Sequence, residues 1–294
     1  MSIRPRRSAL YMPGSNARAL EKAKSLPADV VIVDLEDSIA PAMKQAARTQ
    51  AVAALQAGGY GRREMVLRIN GMGTPWFEDD LAAAASVAPD AVLVPKIETP
   101  LELKLIGEKL AALKCPARTR IWIMLETPLA VLNATSIAEA ATRYPECRLA
   151  CVVLGTNDIQ KETRALTTPD RMPLLYALQA SVLAARAYGL DILDGVYNAF
   201  RDLDGFRREC VQGRTLGMDG KTVIHPDQIA IANAVFAPPA EEVAWARKII
   251  AAFDIPDNQA RGVVQLDGQM VELLHAEIAR RTVAMAEAIA QSGA

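Results

Sequence analysis

Histidine and cysteine are scarce in this chain of 294 residues: two histidines, His225 and His275, and four cysteines. Cys115, Cys147, Cys151 and Cys210 form neither a C-x-x-C pair nor a zinc-ligand spacing, so they read as small buried apolar residues, and a soft-ligand metal site has no support. A charge excess of one sign is missing too. With 33 basic and 34 acidic side chains the net charge is −1, which removes the basic footprint of a nucleic-acid binder. No window reaches the roughly 18 uninterrupted apolar residues of a membrane span. G-x-G-x-x-G and Walker A signatures are absent, leaving the commonest nucleotide ligands without support. The one dense basic stretch, Arg4, Arg6 and Arg7, runs almost at once into an apolar segment and Pro13-Gly14. That leaves no room for a cleavable leader, and the expectation is a cytoplasmic protein with an exposed N-terminal arm.

What is present is a repeated alternation. Apolar runs of strand length occur at 9–12, 30–35, 65–70, 91–95, 121–126, 149–154, 191–194 and 222–224. Each precedes a stretch of helical spacing: 17–26, 42–56, 76–85, 100–113, 130–143, 172–188, 203–216 and 227–236. Eight strand–helix pairs in a chain longer than the roughly 250 residues of an α/β barrel predict a TIM (β/α)8 barrel. A helix at 241–253, a Pro/Asn/Gly-containing break, a short run at 263–266, the turn Asp267-Gly268 and a last helix from about Glu272 to Gln291 lie outside that count. The expected division is a catalytic barrel over 1–255 and a lid or oligomerisation segment over 256–294.

Active sites of such barrels gather at the C-terminal strand ends. The second run closes on Asp34-Leu35-Glu36-Asp37, the third on Arg68-Ile69-Asn70, the fourth on Lys96-Ile97-Glu98, the fifth on Glu126-Thr127 and the sixth on Asn157-Asp158. Taken singly, each acid can equally cap the following helix. Together they form one acidic mouth, whose carboxylates need a cation among them. Oxygen donors with hardly any imidazole or thiolate point to Mg²⁺, with Glu126 and Asp158 at neighbouring strand ends as its ligands. Arg68 has the fork to take a carboxylate or an enolate oxygen, or to bridge a nearby acid. Pro13-Gly14 with Arg18 and Lys22 at a helix start offers a weak phosphate signal. His225 at the eighth strand end reads equally as a structural or a site residue, and His275 has no evident partner.

The ordered motifs RSALYMPG at 7–14, VDLEDS at 33–38, LRIN at 67–70, VPKIE at 94–98, MLETP at 124–128, LGTND at 154–158 and GMDGKTVIHP at 217–226 resemble the citrate lyase β-subunit-like family. This is a group of acyl-CoA C–C lyases within the HpcH/HpaI aldolase superfamily, with malyl-CoA and citramalyl-CoA lyases among its members. The resemblance implies a TIM barrel, Mg²⁺ on Glu126 and Asp158, Arg68 on a keto-acid or enolate oxygen, and Glu36 and Asp37 holding water at the ion. It also implies Pro13, Gly14, Arg18 and Lys22 facing the carrier's phosphates and pantetheine. Lys96, Thr127 and His225 join the expected substrate-binding set. Partners are then a CoA thioester and an α-keto acid, within a homotrimer or dimer of trimers whose C-terminal segment closes a neighbour's site with an acid/base carboxylate. The usual Gly-Lys-Met-(Ile/Val)-Asp of that segment is matched by Gly268-Gln269-Met270-Val271-Glu272. The extra methylene of Glu272 moves its oxygen by about 1 Å, a displacement that can cost on the order of 100-fold. The expected activity is a Mg²⁺-dependent aldol-type cleavage or condensation of a 3-hydroxy-3-carboxyalkyl-CoA. The alternatives are hydrolysis of a malyl-CoA-type thioester, a citrate lyase β subunit acting on an acyl-carrier-protein thioester, and a CoA-binding module without turnover.

Overall fold

The computed structural model describes residues 3–259 and 261–292. Eight parallel strands close into a barrel in chain order: β1 (Ser8–Pro13), β2 (Val30–Asp34), β3 (Glu64–Arg68), β4 (Ala91–Val94), β5 (Arg120–Leu125), β6 (Leu149–Leu154), β7 (Asp191–Asp194) and β8 (Gly220–Val223). β8 pairs back onto β1, so no strand edge is left open. The helices between them are α1 (Ala17–Ala23), α2 (Lys44–Ala57), α3 (Phe77–Val87), α4 (Pro100–Ala112), α5 (Pro128–Leu132), α6 (Ala134–Arg143), α7 (Thr156–Thr163), α8 (Leu175–Ala187) and α9 (Leu203–Leu216), with α10 (Asp227–Phe236) after β8. This is a TIM barrel.

Strand alternation sorts the side chains. Ala9, Val30, Ile32, Val66, Leu93, Trp122, Met124, Cys151, Val153 and Leu193 form one buried cluster, with Tyr11 packed against it. All four cysteines are free and buried. Helix starts follow their caps: Asn16 accepts from Ala19 N, and Thr99 with Glu102 makes a capping box ahead of Pro100.

Three local features depart from expectation. Arg6 and Arg7 are not an exposed arm. Arg7 is 4% exposed and forks onto Asp29 at 2.8 Å, while Arg6 binds Glu64 and Asp191 and lies over Trp122. Acids at the N-terminal strand ends need those cations, and together they seal that end of the barrel. The helix expected over 130–143 is split at Asn133, whose Nδ2 donates to Glu98 O. A further helix, α7, fills the segment directly after β6, so Asp158 lies in a first helical turn rather than at a strand end.

The chain divides into two compact units. The barrel unit is Arg6–Asn233, and the other takes the residues before it and those from Ala234 onward. In this second unit, α11 (Ala240–Asp254) and α13 (Leu273–Ser292) pack with the antiparallel hairpin β9 (Val263–Leu266) and β10 (Gln269–Glu272), and α12 (Pro256–Gln259) connects α11 to it. Ala246, Ile249, Phe253, Val264, Val271 and Ala276 make its core. This unit begins at Ala234, ahead of α11, and α11 supplies three of its seven buried core residues. Asp267 (φ 47°) and Gly268 (φ 80°) turn the hairpin, as an Asp-Gly pair does.

On the outer side of the barrel wall, Asp194 takes Lys221 Nζ at 3.0 Å and Arg171 Nη1 at 2.7 Å, and Lys221 also reaches Glu209. Asp194 and Lys221 have no exposed surface, so the network staples β7 and β8 to α9. Asp194→Ala removes one of the two anions that the buried Arg171 and Lys221 share, leaving them only Glu209. It should cost about 3–5 kcal/mol in urea unfolding; a loss below about 1 kcal/mol would show that the network carries little stability.

Candidate active site

The inward phase that builds the core continues to the C-terminal ends of four strands. After Ala9 comes Tyr11, after Ile32 comes Asp34, after Val66 comes Arg68, and after Met124 comes Glu126. The barrel therefore turns polar at this end by strand periodicity alone. Arg68 is 6% exposed. Its Nε and Nη2 fork onto Asp34 at 2.7 and 2.8 Å, and its Nη1 lies 2.8 Å from Glu36 Oε2 and 3.3 Å from Asp37. The guanidinium also sits over the Tyr11 ring, 4.7 Å from its centroid. Burial favours neutral forms of both partners, but the pairing outweighs it: Arg68 is driven further into its charged state and Asp34 is held below the usual carboxylate range.

Asp34 also accepts the amides of Glu36 at 2.8 Å and Ser38 at 3.1 Å, which folds 35–38 into a loop over the mouth. Lys44 fixes the loop from behind. Its ammonium donates to Leu35 O, Glu36 O and Asn70 Oδ1 within 2.9 Å. Glu36 is left in a contradictory setting. Burial pushes its carboxyl up to about 8 even though Arg68 opposes the shift, and its buried Oε2, although 2.8 Å from Arg68 Nη1, receives no aligned hydrogen bond.

Glu126 is 1% exposed. Its Oε1 accepts Lys96 N at 2.8 Å, an amide aimed by the left-handed backbone of Lys96 (φ 54°), while Oε2 is buried without a partner. Burial, with Asp158 adding to it, brings this carboxyl to about 7. Gly155 gives Glu126 its space, since a Cβ there would stand 2.7 Å from Oε2. Lys96 Nζ lies 3.7 Å from Asp158 Oδ1 and is drawn by both acids. No three His, Cys, Asp or Glu side chains form a metal cage among the described residues. The mouth instead offers two acids that both draw the Lys96 ammonium, one of them with an orphaned oxygen. That donor set fits a hard cation which keeps open positions for substrate oxygens. The adjoining cavity, about 310 Å³, is lined by Tyr11, Asp34, Asp37, Arg68, Asp158 and Thr222 among others.

Other expected residues lie elsewhere. Gly14 is buried because its amide donates to Asp34 O at 2.8 Å and a Cβ would stand 2.9 Å from that oxygen. Arg18 and Lys22 are solvent-exposed on α1. Thr127 caps α5 and donates to Glu98. His225 stacks on Phe200 at 4.9 Å, and its Nδ1 faces Asp227. Glu272 belongs to the second unit, half-buried at the end of β10, and His275 does have a partner there, the amide of Glu272. Sequence reading missed Tyr11, Lys44 and Gly155. Counting inward positions from Ala9 would have found the first.

The two raised acids set a pH dependence. Both hold a proton more tightly folded than at their ordinary 4.5, so their contribution to stability is full below about pH 4.5 and is lost as pH rises through about 7 for Glu126 and about 8 for Glu36. Without divalent cations, the urea midpoint should fall between about pH 4.5 and 8. Glu126→Gln and Glu36→Gln should each flatten that fall, and a fall of unchanged size in both variants would contradict the burial of these acids.

Comparison with known proteins agrees with this architecture. The HpcH/HpaI aldolase/citrate lyase family profile matches residues 7–226. A (3S)-malyl-CoA thioesterase of Cereibacter sphaeroides is 46% identical over 99% of this chain and 98% of its own. The human mitochondrial citramalyl-CoA lyase is 32% identical over 97% and 86%. The structure of CitE from Mycobacterium tuberculosis in complex with magnesium, acetoacetate and coenzyme A superposes with a TM-score of 0.75, at 28% identity, over 96% of this chain and 99% of that one. From barrel to motifs, this chain belongs to the HpcH/HpaI aldolase/citrate lyase family.

Proposed function

We propose that this protein is a Mg²⁺-dependent enzyme acting on a malyl-CoA-type 3-hydroxy-3-carboxyalkyl thioester. The observation that carries the reading is the buried, partnerless Glu126 Oε2, near enough to Asp158 to feel its charge, together with a cavity that Asp158 and Arg68 both line. Glu126 and Asp158 would hold the ion, taking over the charge that Lys96 now balances. When bound, Mg²⁺ supplies Lewis-acid polarisation of the substrate's oxygens. Arg68, already oriented by Asp34, binds the substrate carboxylate, and Glu36 and Asp37 orient water next to it. The exposed Arg18 and Lys22 face the carrier's phosphates, and Pro13, Gly14, Lys96, Thr127 and His225 remain the wider binding set implied by the motifs. Glu272, delivered by the C-terminal segment of a neighbouring subunit in a homotrimer, is the acid/base.

Two reactions begin from this bound substrate. Hydrolysis of the thioester is favoured by the 46% identity, over almost the whole chain, with a (3S)-malyl-CoA thioesterase. Aldol cleavage, in which the hydroxyl loses its proton as the C–C bond breaks to a keto acid and a thioester enolate, is the second reading. It is supported by the citramalyl-CoA lyase and citrate lyase β-subunit relatives at 32–33% identity. A cytoplasmic setting accompanies either.

Malyl-CoA incubated with the protein and Mg²⁺ distinguishes them. Hydrolysis yields malate and free CoA thiol, and cleavage yields acetyl-CoA and glyoxylate. Glu126→Gln and Asp158→Asn should each lower turnover by roughly 100-fold or more, on the order seen when a group stabilising developing charge is removed, and weaken Mg²⁺ binding measured without substrate. Mixing Arg68→Ala with Glu272→Ala protein should restore part of the activity through subunit exchange. CoA binding without either product set, or wild-type Mg²⁺ affinity in both acid variants, would overturn the proposal.

A further inference from the structure

Tyr11 is the one residue of the polar layer that the preceding scheme leaves without work. It occupies the inward position of β1 directly above Ala9 and lines the cavity shared with Arg68 and Asp158. Its hydroxyl is buried and has no hydrogen-bond partner. A buried unsatisfied hydroxyl is costly, and native structures seldom keep one without a purpose.

The groups around it cannot easily satisfy it. Asp34 is already committed to the Arg68 fork and to the amides of Glu36 and Ser38. One oxygen of Glu126 is taken by Lys96 N. The ring is clamped face-on beneath the Arg68 guanidinium, which limits where the hydroxyl can point. Burial, aided by the surrounding carboxylates and only partly offset by Arg68, pushes the phenol's ionisation upward. It therefore stays a neutral donor at any working pH. A neutral donor held beside a fixed cation, in a cavity that Asp34, Asp37 and Asp158 also line, complements an anionic oxygen that binds against that cation.

We propose that the Tyr11 hydroxyl donates a hydrogen bond to the 2-oxo or 2-hydroxy carboxylate end of the substrate that Arg68 anchors. Tyr11 and Arg68 then form a two-point clamp on the same oxyanion group, one neutral donor and one charged donor, the Nη1 that Asp34 leaves free. This rests on the reading of Arg68 as the substrate anchor, and it adds a contact that removes the unsatisfied hydroxyl only when substrate is present.

Tyr11→Phe deletes the hydroxyl and nothing else, and two readouts separate a binding role from a structural one. The first is thermal unfolding of the ligand-free protein, where the variant should melt at the same temperature as wild type or higher, since no bond is lost. The second is calorimetric titration of glyoxylate and of pyruvate at saturating Mg²⁺, where the variant should bind roughly tenfold to a hundredfold more weakly, the range for a hydrogen bond to a charged acceptor. Arg68→Lys is titrated alongside. Weakened binding in Arg68→Lys with wild-type binding in Tyr11→Phe overturns the Tyr11 contact and leaves the anchor standing. Wild-type binding in both variants overturns the contact and the anchor together. A Tyr11→Phe protein that melts several degrees lower with unchanged affinity assigns the hydroxyl a structural partner and also overturns the proposal.

Discussion

The paired fork of Arg68 on Asp34 fixes a permanent positive charge at the centre of a ring of carboxylates. Asp34 is 1% exposed and Arg68 6%, so neither charge is shared with bulk water. Removing the guanidinium would leave Asp34 and Glu36 facing one another in a poorly solvated mouth, with the exposed Asp37 at its rim. Removing Asp34 would free the guanidinium to swing and would take away the acceptor that folds the 35–38 loop. Such a pair is seldom a net gain in stability over well-packed apolar residues. Its value here is geometric, because it sets the direction of the one donor on Arg68, Nη1, that faces Glu36 and Asp37.

The rest of the mouth follows from how close the backbone can come to this pair. Gly14 lets β1 lie against Asp34 O, and Gly155 leaves the volume into which Glu126 is folded. Lys44 holds the loop that carries Glu36 and Asp37 by three hydrogen bonds. The left-handed Lys96 turns its amide toward Glu126, a conformation uncommon outside glycine and often found where function demands it. Around these contacts, Glu36 Oε2, Glu126 Oε2 and the Tyr11 hydroxyl are left buried without a hydrogen bond.

The barrel was legible because its signal is long-range and repeated: eight apolar runs at regular spacing leave few other architectures. Arg68, Glu126 and the acids at 34–37 were legible for the same reason, as polar residues where apolar runs end. Arg6 and Arg7 were misjudged because a basic terminus looks solvated until Glu64, Asp191 and Asp29, which lie far along the chain, are brought to the same end of the barrel. α7 was missed because its eight residues follow a strand directly and carry mixed polarity. Tyr11 was hidden by its ordinariness, an aromatic within a strand, and only its phase relative to Ala9 distinguishes it.

Family membership and the malyl-CoA and citramalyl-CoA relatives bound the chemistry, while the Arg68–Asp34 pair is the physical core from which it works. A double-mutant cycle with Asp34→Asn, Arg68→Met and the double variant, read by urea unfolding, measures that pair directly. Coupling near the upper end of the 0.5–3 kcal/mol range for groups in contact is the expected result, because each single change strands the other's charge or dipole in a buried site. Additivity to within about 0.5 kcal/mol would contradict it, and would mean that the two side chains meet at the mouth without depending on one another.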